Sequence, residues 1–100
     1  MTIELSSMEE NAKSASNLLK ALSNESRLMI MCLLSQGEMS VSEINEHVDI
    51  SQSALSQHLA KLRNDDLVST RRESQVIYYS LKGGAASEII KTLHNIYCDN

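Results

Sequence analysis

Between Ser40 and Leu81 the sequence switches from helical to extended periodicity with little chain to spare. Ser40-Val41-Ser42-Glu43 has the S-x-x-E form of a capping box and opens a short helix to about Val48. Ser51 caps a second helix over about Gln52 to Asn64, so only Asp49-Ile50-Ser51 links the two. In that second helix Leu55, Leu59 and Leu62 share one stripe, and Ser53, Gln57, Ala60 and Asn64 the other. The runs LVSTRR and VIYYSL follow at once, joined by a polar turn around Glu73-Ser74-Gln75, and read as a hairpin. Two short helices on a tight link with a hairpin behind them describe a helix-turn-helix carrying a β wing.

The rest of the chain supplies helices on both sides. Met8, Ala12, Ala15, Leu19 and Leu22 recur at steps of three and four, which predicts an amphipathic helix over about 8–22. Asn24 caps a second helix from about Glu25 to Ser35, and Gly37 ends it. Its run LMIMCLL is apolar on every side, so neighbours are expected to wrap it. Gly83-Gly84 breaks the hairpin. A last helix from about Ala85 to Tyr97 presents Ala86, Ile89, Ile90, Leu93, Ile96 and Tyr97 on one side. The expected fold is mainly α (α+β), a single winged helix-turn-helix domain over 1–100. Its order is helix, helix, helix, helix, strand, strand, helix, with the helix-turn-helix at about 41–64 and the wing at about 67–81. The absence of proline and the three glycines argue against a turn-rich all-β alternative. With 42% apolar residues and no repeats the chain is globular. At 100 residues its core is modest, and a second copy would help it. The longest apolar run, Leu28 to Leu34, is too short for a membrane span, and the opening MTIELSSMEENAK lacks an export signal. A cytoplasmic protein without a membrane partner is expected.

A net charge of −4 argues at first against nucleic acid. The distribution argues otherwise. Residues 1–50 carry three basic and eight acidic groups, whereas residues 51–82 carry five and three and are locally positive. The second helix of a helix-turn-helix lies in the major groove and needs small polar side chains near its N-terminus. Gln52, Ser53, Ser56 and Gln57 provide them, and the helix amides favour a nearby phosphate. Gln and Ser read base edges less selectively than arginine reads guanine. Lys61, Arg63, Arg71 and Arg72 would hold phosphates at the helix end and the wing. A merely solvated helix face is the competing reading of Ser53, Ser56 and Gln57, and the wing and local charge count against it. His47 reads as a surface residue and His58 as one packing against a neighbouring helix. No nucleophile–base pair, phosphate loop or metal cluster points to an enzyme, and Ser53 and Ser56 have no acid and histidine partners at a recognisable spacing.

The stretches ALSNESRLMIMCLL, MSVSEI and ISQSALSQHLAKLRNDDLVSTRRESQVIYYSL resemble the ArsR/SmtB family of dimeric bacterial winged-helix regulators, over about residues 20 to 82. The resemblance implies a homodimer built on the first and last helices (about 8–22 and 85–98) that binds an imperfect palindrome in double-stranded DNA. Ser40, Ser42 and His58 then join Gln52, Ser53, Ser56, Gln57, Lys61, Arg63, Arg71 and Arg72 as the expected DNA-binding set. Two positions depart from the family pattern. Asp66 and Ser74 stand where glycine is frequent, at the end of the recognition helix and in the wing turn. Metal-responsive members carry a C-x-C motif where this chain has Ser40 and Ser42, and hydroxyls are poor ligands for thiophilic metals. For the family's other metal site the last helix offers only Glu88 and His94, six apart. No metal and no cofactor are expected.

Cys32 and Cys98 lie far apart in a chain without an export signal, so a static structural disulfide is not the default. Their surroundings are similar to the HlyU-like, thiol-based reactive-sulfur-sensing subgroup of the family. That resemblance implies that the two cysteines join through a disulfide or polysulfide bridge and that their oxidation controls DNA affinity. A disulfide needs the two Cα atoms within about 7 Å. His94, one turn before Cys98, favours a thiolate there, and the negative end of the helix opposes it. From the residues alone, Cys32 can equally be a small core residue with Cys98 an incidental tail thiol, and a bridge between the tails of two protomers is a third arrangement. The competing functional reading is a regulator with no inducible switch and structural cysteines, or an anti-silencer that competes with a nucleoid silencer protein.

Overall fold

Three of the five helices begin where a side-chain oxygen satisfies their first amides. A computed structural model describes residues 5–98. It places α1 at Leu5–Leu22, α2 at Glu25–Leu34, β1 at Met39–Ser40, α3 at Val41–His47, α4 at Gln52–Asn64, β2 at Val68–Glu73, β3 at Val76–Leu81 and α5 at Ala85–Tyr97. Asn24 Oδ1 accepts from the Arg27 amide at 3.0 Å ahead of α2. Ser51 Oγ accepts from the Ala54 amide at 3.1 Å ahead of α4. The capping box of α3 is complete: the Glu43 amide donates to Ser40 Oγ at 3.2 Å, and the Ser40 amide donates to Glu43 Oε1 at 2.9 Å.

The sheet has one strand more than the sequence suggested. Met39 and Ser40 pair with Tyr79 and Tyr78, so the order is β1-β3-β2, antiparallel throughout. A two-residue strand has no periodicity of its own and exists only through its partner. The β2–β3 wing runs in register from Val68↔Leu81 to Glu73↔Val76, leaving Ser74 and Gln75 as a two-residue turn. Together these elements form a winged helix-turn-helix.

Two left-handed residues stand where glycine was expected, Asp66 at φ 62° and Ser74 at φ 58°. Asp66 closes α4. Its amide donates to the Arg63 carbonyl at 3.0 Å and the Leu67 amide donates to the Leu62 carbonyl at 2.9 Å. That is the Schellman arrangement, with aspartate in the position glycine usually takes. The Asp66 carboxylate also pairs with Lys82.

The core gathers Ile30, Met31 and Leu34 of α2, Ile44 of α3, Leu55, Leu59 and Leu62 of α4, and Ala86 and Ile90 of α5. α2 is not wrapped on every side as its apolar run suggested, because Met29 remains 43% exposed. A run with no periodicity does not say which flank stays open. α1 joins the core at its C-terminal end, through buried Ala21 and Leu22 with Leu18 packed beside them. Arg27 secures that end by donating from Nε to the Ala21 carbonyl at 2.6 Å. No helix among the described residues is long and apolar enough to cross a membrane.

Ser74 tests the wing turn. A left-handed non-glycine residue costs about 1–2 kcal/mol, part of which glycine's own entropy takes back, so Ser74→Gly is expected to stabilise the protein by roughly 0.5–1 kcal/mol. The readout is the urea midpoint at constant slope. An unchanged or lower midpoint would mean that the turn holds no such strain.

Candidate nucleic-acid interface

The recognition helix is aimed by its buried side. Leu55, Leu59 and Leu62 are at most 1% exposed, so the opposite face of α4 must point outward. Gln52, Ser53, Ser56, Gln57, Ala60 and Asn64 are all exposed on it or at its margins. Ser53 Oγ lies 3.2 Å from the capping hydroxyl of Ser51. Among the described residues the side chains of Gln52, Ser56 and Gln57 make no hydrogen bond, which leaves their donors and acceptors available. His58 is half-buried on the flank of the helix, as a packing residue would be.

The angle between α3 and α4 is held by a residue the sequence reading did not single out. Asn45 Nδ2 donates to the carbonyls of Val48 at 3.3 Å and Ile50 at 3.0 Å, which ties the linking turn to α3. The signal available for it was an asparagine in the last turn before a three-residue link. The two serines flanking Val41 have different fates. Ser40 is buried and its hydroxyl serves the capping box, so it is not free for a phosphate. Ser42 is exposed and lines a cleft of about 300 Å³ with Asn45, Glu46 and Gln52, beside the start of α4.

The cations expected at the helix end and wing are unequal. Lys61 pairs with Asp65 at 3.0 Å, one helical turn away. Arg71 commits three of its five N–H groups to carboxylates on one side of the wing. Its Nε and Nη2 donate to the two carboxylate oxygens of Glu38 at 3.1 and 2.7 Å, and its Nη1 donates to Glu73 at 2.7 Å. Its guanidinium lies 4.7 Å from the centre of the Tyr78 ring. The hydrogen bonds from Arg71 hold the Glu38 carboxyl below the usual carboxylate range, and the same bonds keep the guanidinium still more firmly protonated. Arg63 and Arg72 are exposed and have no ion-pair partner among the described residues.

Cys32 is half-buried in α2, and Cys98 is exposed at the C-terminal cap of α5, a helix that packs on α2. Both are free thiols. Burial pushes the Cys32 thiol up, and the charge that Cys98 would carry as a thiolate pushes it further, so each lies within the other's electrostatic reach. Among the described residues no group of three or more His, Cys, Asp or Glu side chains is placed to hold a metal ion.

Residues 24–70 match the family model described as "Bacterial regulatory protein, arsR family". The transcriptional activator HlyU of Vibrio cholerae is 48% identical over 96 residues, covering 96% of this chain and 89% of that protein. The solved structure of reduced HlyU from Vibrio cholerae N16961 superposes with a TM-score of 0.90 at 49% identity, over 94% of this chain and 99% of that one. The transcriptional repressor BigR of Xylella fastidiosa superposes with a TM-score of 0.88 at 40% identity, over 95% and 94%. With the winged fold, the outward polar face of α4 and these relatives together, the chain belongs to the arsR family of bacterial regulatory proteins and is a DNA-binding transcriptional regulator, not an enzyme.

Proposed function

We propose that the chain acts as a homodimer, joined through α1 and α5, whose affinity for an imperfect palindrome is set by the oxidation state of Cys32 and Cys98. The packing of α2 on α5, with each thiol inside the other's electrostatic reach, carries this reading. In the reduced dimer the two α4 helices enter successive major grooves roughly 34 Å apart.

The protomer leaves suitable surface for a second copy. Met8 and Leu19 of α1 are 51% and 55% exposed, and Ile96 and Tyr97 of α5 are 64% and 78% exposed. The radius of gyration is 15.2 Å, against about 13 Å for a compact domain of this length, in keeping with a helix that projects from its own core.

A bridge would form in two steps. An oxidant such as peroxide or an organic polysulfide meets the exposed Cys98 thiol first, giving a sulfenic acid or, with expulsion of a thiolate or persulfide from the reagent, a mixed Cys98–S–S–S–R. Cys32 then attacks the sulfenic sulfur and displaces water, or attacks the sulfur next to Cys98 Sγ in the mixed polysulfide and displaces RS⁻, leaving a disulfide or a one-sulfur-longer bridge. Two electrons pass to the oxidant and both thiol protons leave. The bridge ties the end of α5 to α2, and because α5 is also part of the dimer contact, the spacing of the two α4 helices changes. A loss of about 1–3 kcal/mol in DNA affinity suffices to switch a promoter. Among relatives, HlyU is named an activator and BigR a repressor, so regulators of this family are named for both directions of control. A regulator without a switch, or one that displaces a silencer protein, is the competing reading.

Four measurements test this proposal. Intact mass and peptide mapping after polysulfide, peroxide or diamide should give a Cys32–Cys98 link together with a loss of roughly tenfold or more in DNA affinity. Cys32→Ser should keep its DNA under the same oxidants, and release by that variant would end the proposal. In the reduced protein at neutral pH, limiting iodoacetamide should label Cys98 ahead of Cys32. The raised thiol of Cys32 means less thiolate there, so its labelling should catch up as pH rises above the ordinary thiol range. Equal rates at neutral pH would contradict that order. Sedimentation should show a dimer that Leu19→Glu dissociates, whereas a wild-type monomer would remove the basis for palindrome recognition.

A further inference from the structure

The wing presents two adjacent arginines on opposite faces of one strand. Arg72 stands opposite Ile77, on the same side of the sheet as Val68, Thr70 and Tyr79. That side faces the recognition helix: Tyr79 lines a cleft of about 410 Å³ with Ser56, Leu59, Ala60, Arg63 and Asn64. Arg71 stands opposite Tyr78 on the other side. There it is held by Glu38, in the loop between α2 and β1, and by Glu73. Glu38 immediately precedes β1, which pairs with β3 and runs directly into the capping box of α3. The two-point Arg71–Glu38 pair therefore joins the wing's outer strand to the segment that carries the helix-turn-helix.

Resting on the DNA-binding reading, we infer that the two arginines divide the work. Arg72 contacts a DNA phosphate, and Arg71 is a positioning residue that acts through Glu38 to hold the wing at its angle to α4. Arg71 has three nitrogens committed to carboxylates and its face stacked on Tyr78, whereas Arg72 is unpaired among the described residues and lies on the side of α4. A fork-to-carboxylate pair carries directional information that a lone charge does not.

The two roles predict opposite signs for one substitution. If Arg71 itself contacted phosphate, Glu38→Gln would free it and remove a negative charge, so binding would tighten. If Arg71 positions the wing, Glu38→Gln loosens binding. The test uses the full chain, a duplex selected by the wild-type protein from a randomised pool, and a mixed-sequence duplex. Glu38→Gln and Arg71→Ala should each weaken binding to the selected duplex by roughly three- to tenfold, and the double variant by no more than either alone. Their salt slopes should match the wild type, and their melting temperatures should hardly move, because an exposed ion pair adds little stability. Arg72→Ala should weaken both duplexes alike and flatten the salt slope by about 1 per half-site. Tighter binding by Glu38→Gln, additive losses, a flatter slope for Arg71→Ala or an unchanged slope for Arg72→Ala would each overturn the inference. A wild-type protein that selects no duplex would instead remove the DNA-binding reading on which it stands.

Discussion

α4 can settle on the rest of the domain in only one orientation, because Leu55, Leu59 and Leu62 all lie on one stripe and all are buried. Burying a leucine side chain is worth about 1.5–3 kcal/mol, and rotating the helix would expose all three at once. The polar face is thereby forced outward without any interaction of its own. The other constraints refine this one. The Schellman end at Asp66 sets where α4 stops and the wing begins, and the Asn45 amide fixes the turn through which α3 delivers it. A surface that reads DNA needs rigid backing because its own side chains must stay unsatisfied until they meet a base or a phosphate.

The core that supplies this backing ends abruptly. α1 is seated only through Ala21 and Leu22, with Leu18 beside them, and the last turn of α5 leaves Ile96 and Tyr97 in the open. Cys32 and Cys98 sit at that same margin. A thiol deep in the core would be inert, and one on a free surface would have nothing to move. In the proposed switch, a covalent bond at the seam between α2 and α5 would act on a helix whose last turn is open on its far side. The raised pKa of Cys32 suits the proposed order, since a protected second thiol waits until Cys98 has been oxidised.

What the sequence makes legible here is mostly local. The caps at Asn24, Ser40 and Ser51 and the bounds of α4 depend on residues three or four apart, and a single chain displays them directly. Asp66 and Ser74 are also legible, because a left-handed position leaves a conformational demand that either glycine or a small polar residue must meet. The parts that escaped depend on partners distant in the chain. β1 is two residues defined by β3, and the open flank at Met29 follows from where α1 and α5 are absent. Arg71 looks equivalent to Arg72 until Glu38, 33 residues earlier, is found beside it. Ser40 was legible as a cap, and that role is the reason it is lost as a contact for DNA.

The same ion pairs explain how an acidic chain can offer DNA a positive surface. Residues 51–82 hold five basic and three acidic side chains. Each of the three acids lies against a base: Asp65 on Lys61, Asp66 on Lys82 and Glu73 on Arg71. The local excess of two charges therefore falls on Arg63 and Arg72. These two belong to one side of the molecule, Arg63 lining the cleft with Tyr79 and Arg72 on the strand face that Tyr79 shares. Net charge is consequently a poor guide to partner, because it averages over the whole chain, whereas each acid within residues 51–82 is paired with a base. A surface with so few free cations gains little affinity from counterion release, about one unit of salt slope per phosphate neutralised. Affinity must then come mainly from the fit of α4 in the groove and, in the proposed homodimer, from the spacing of two such helices, which is the quantity that the proposed bond between α2 and α5 would change.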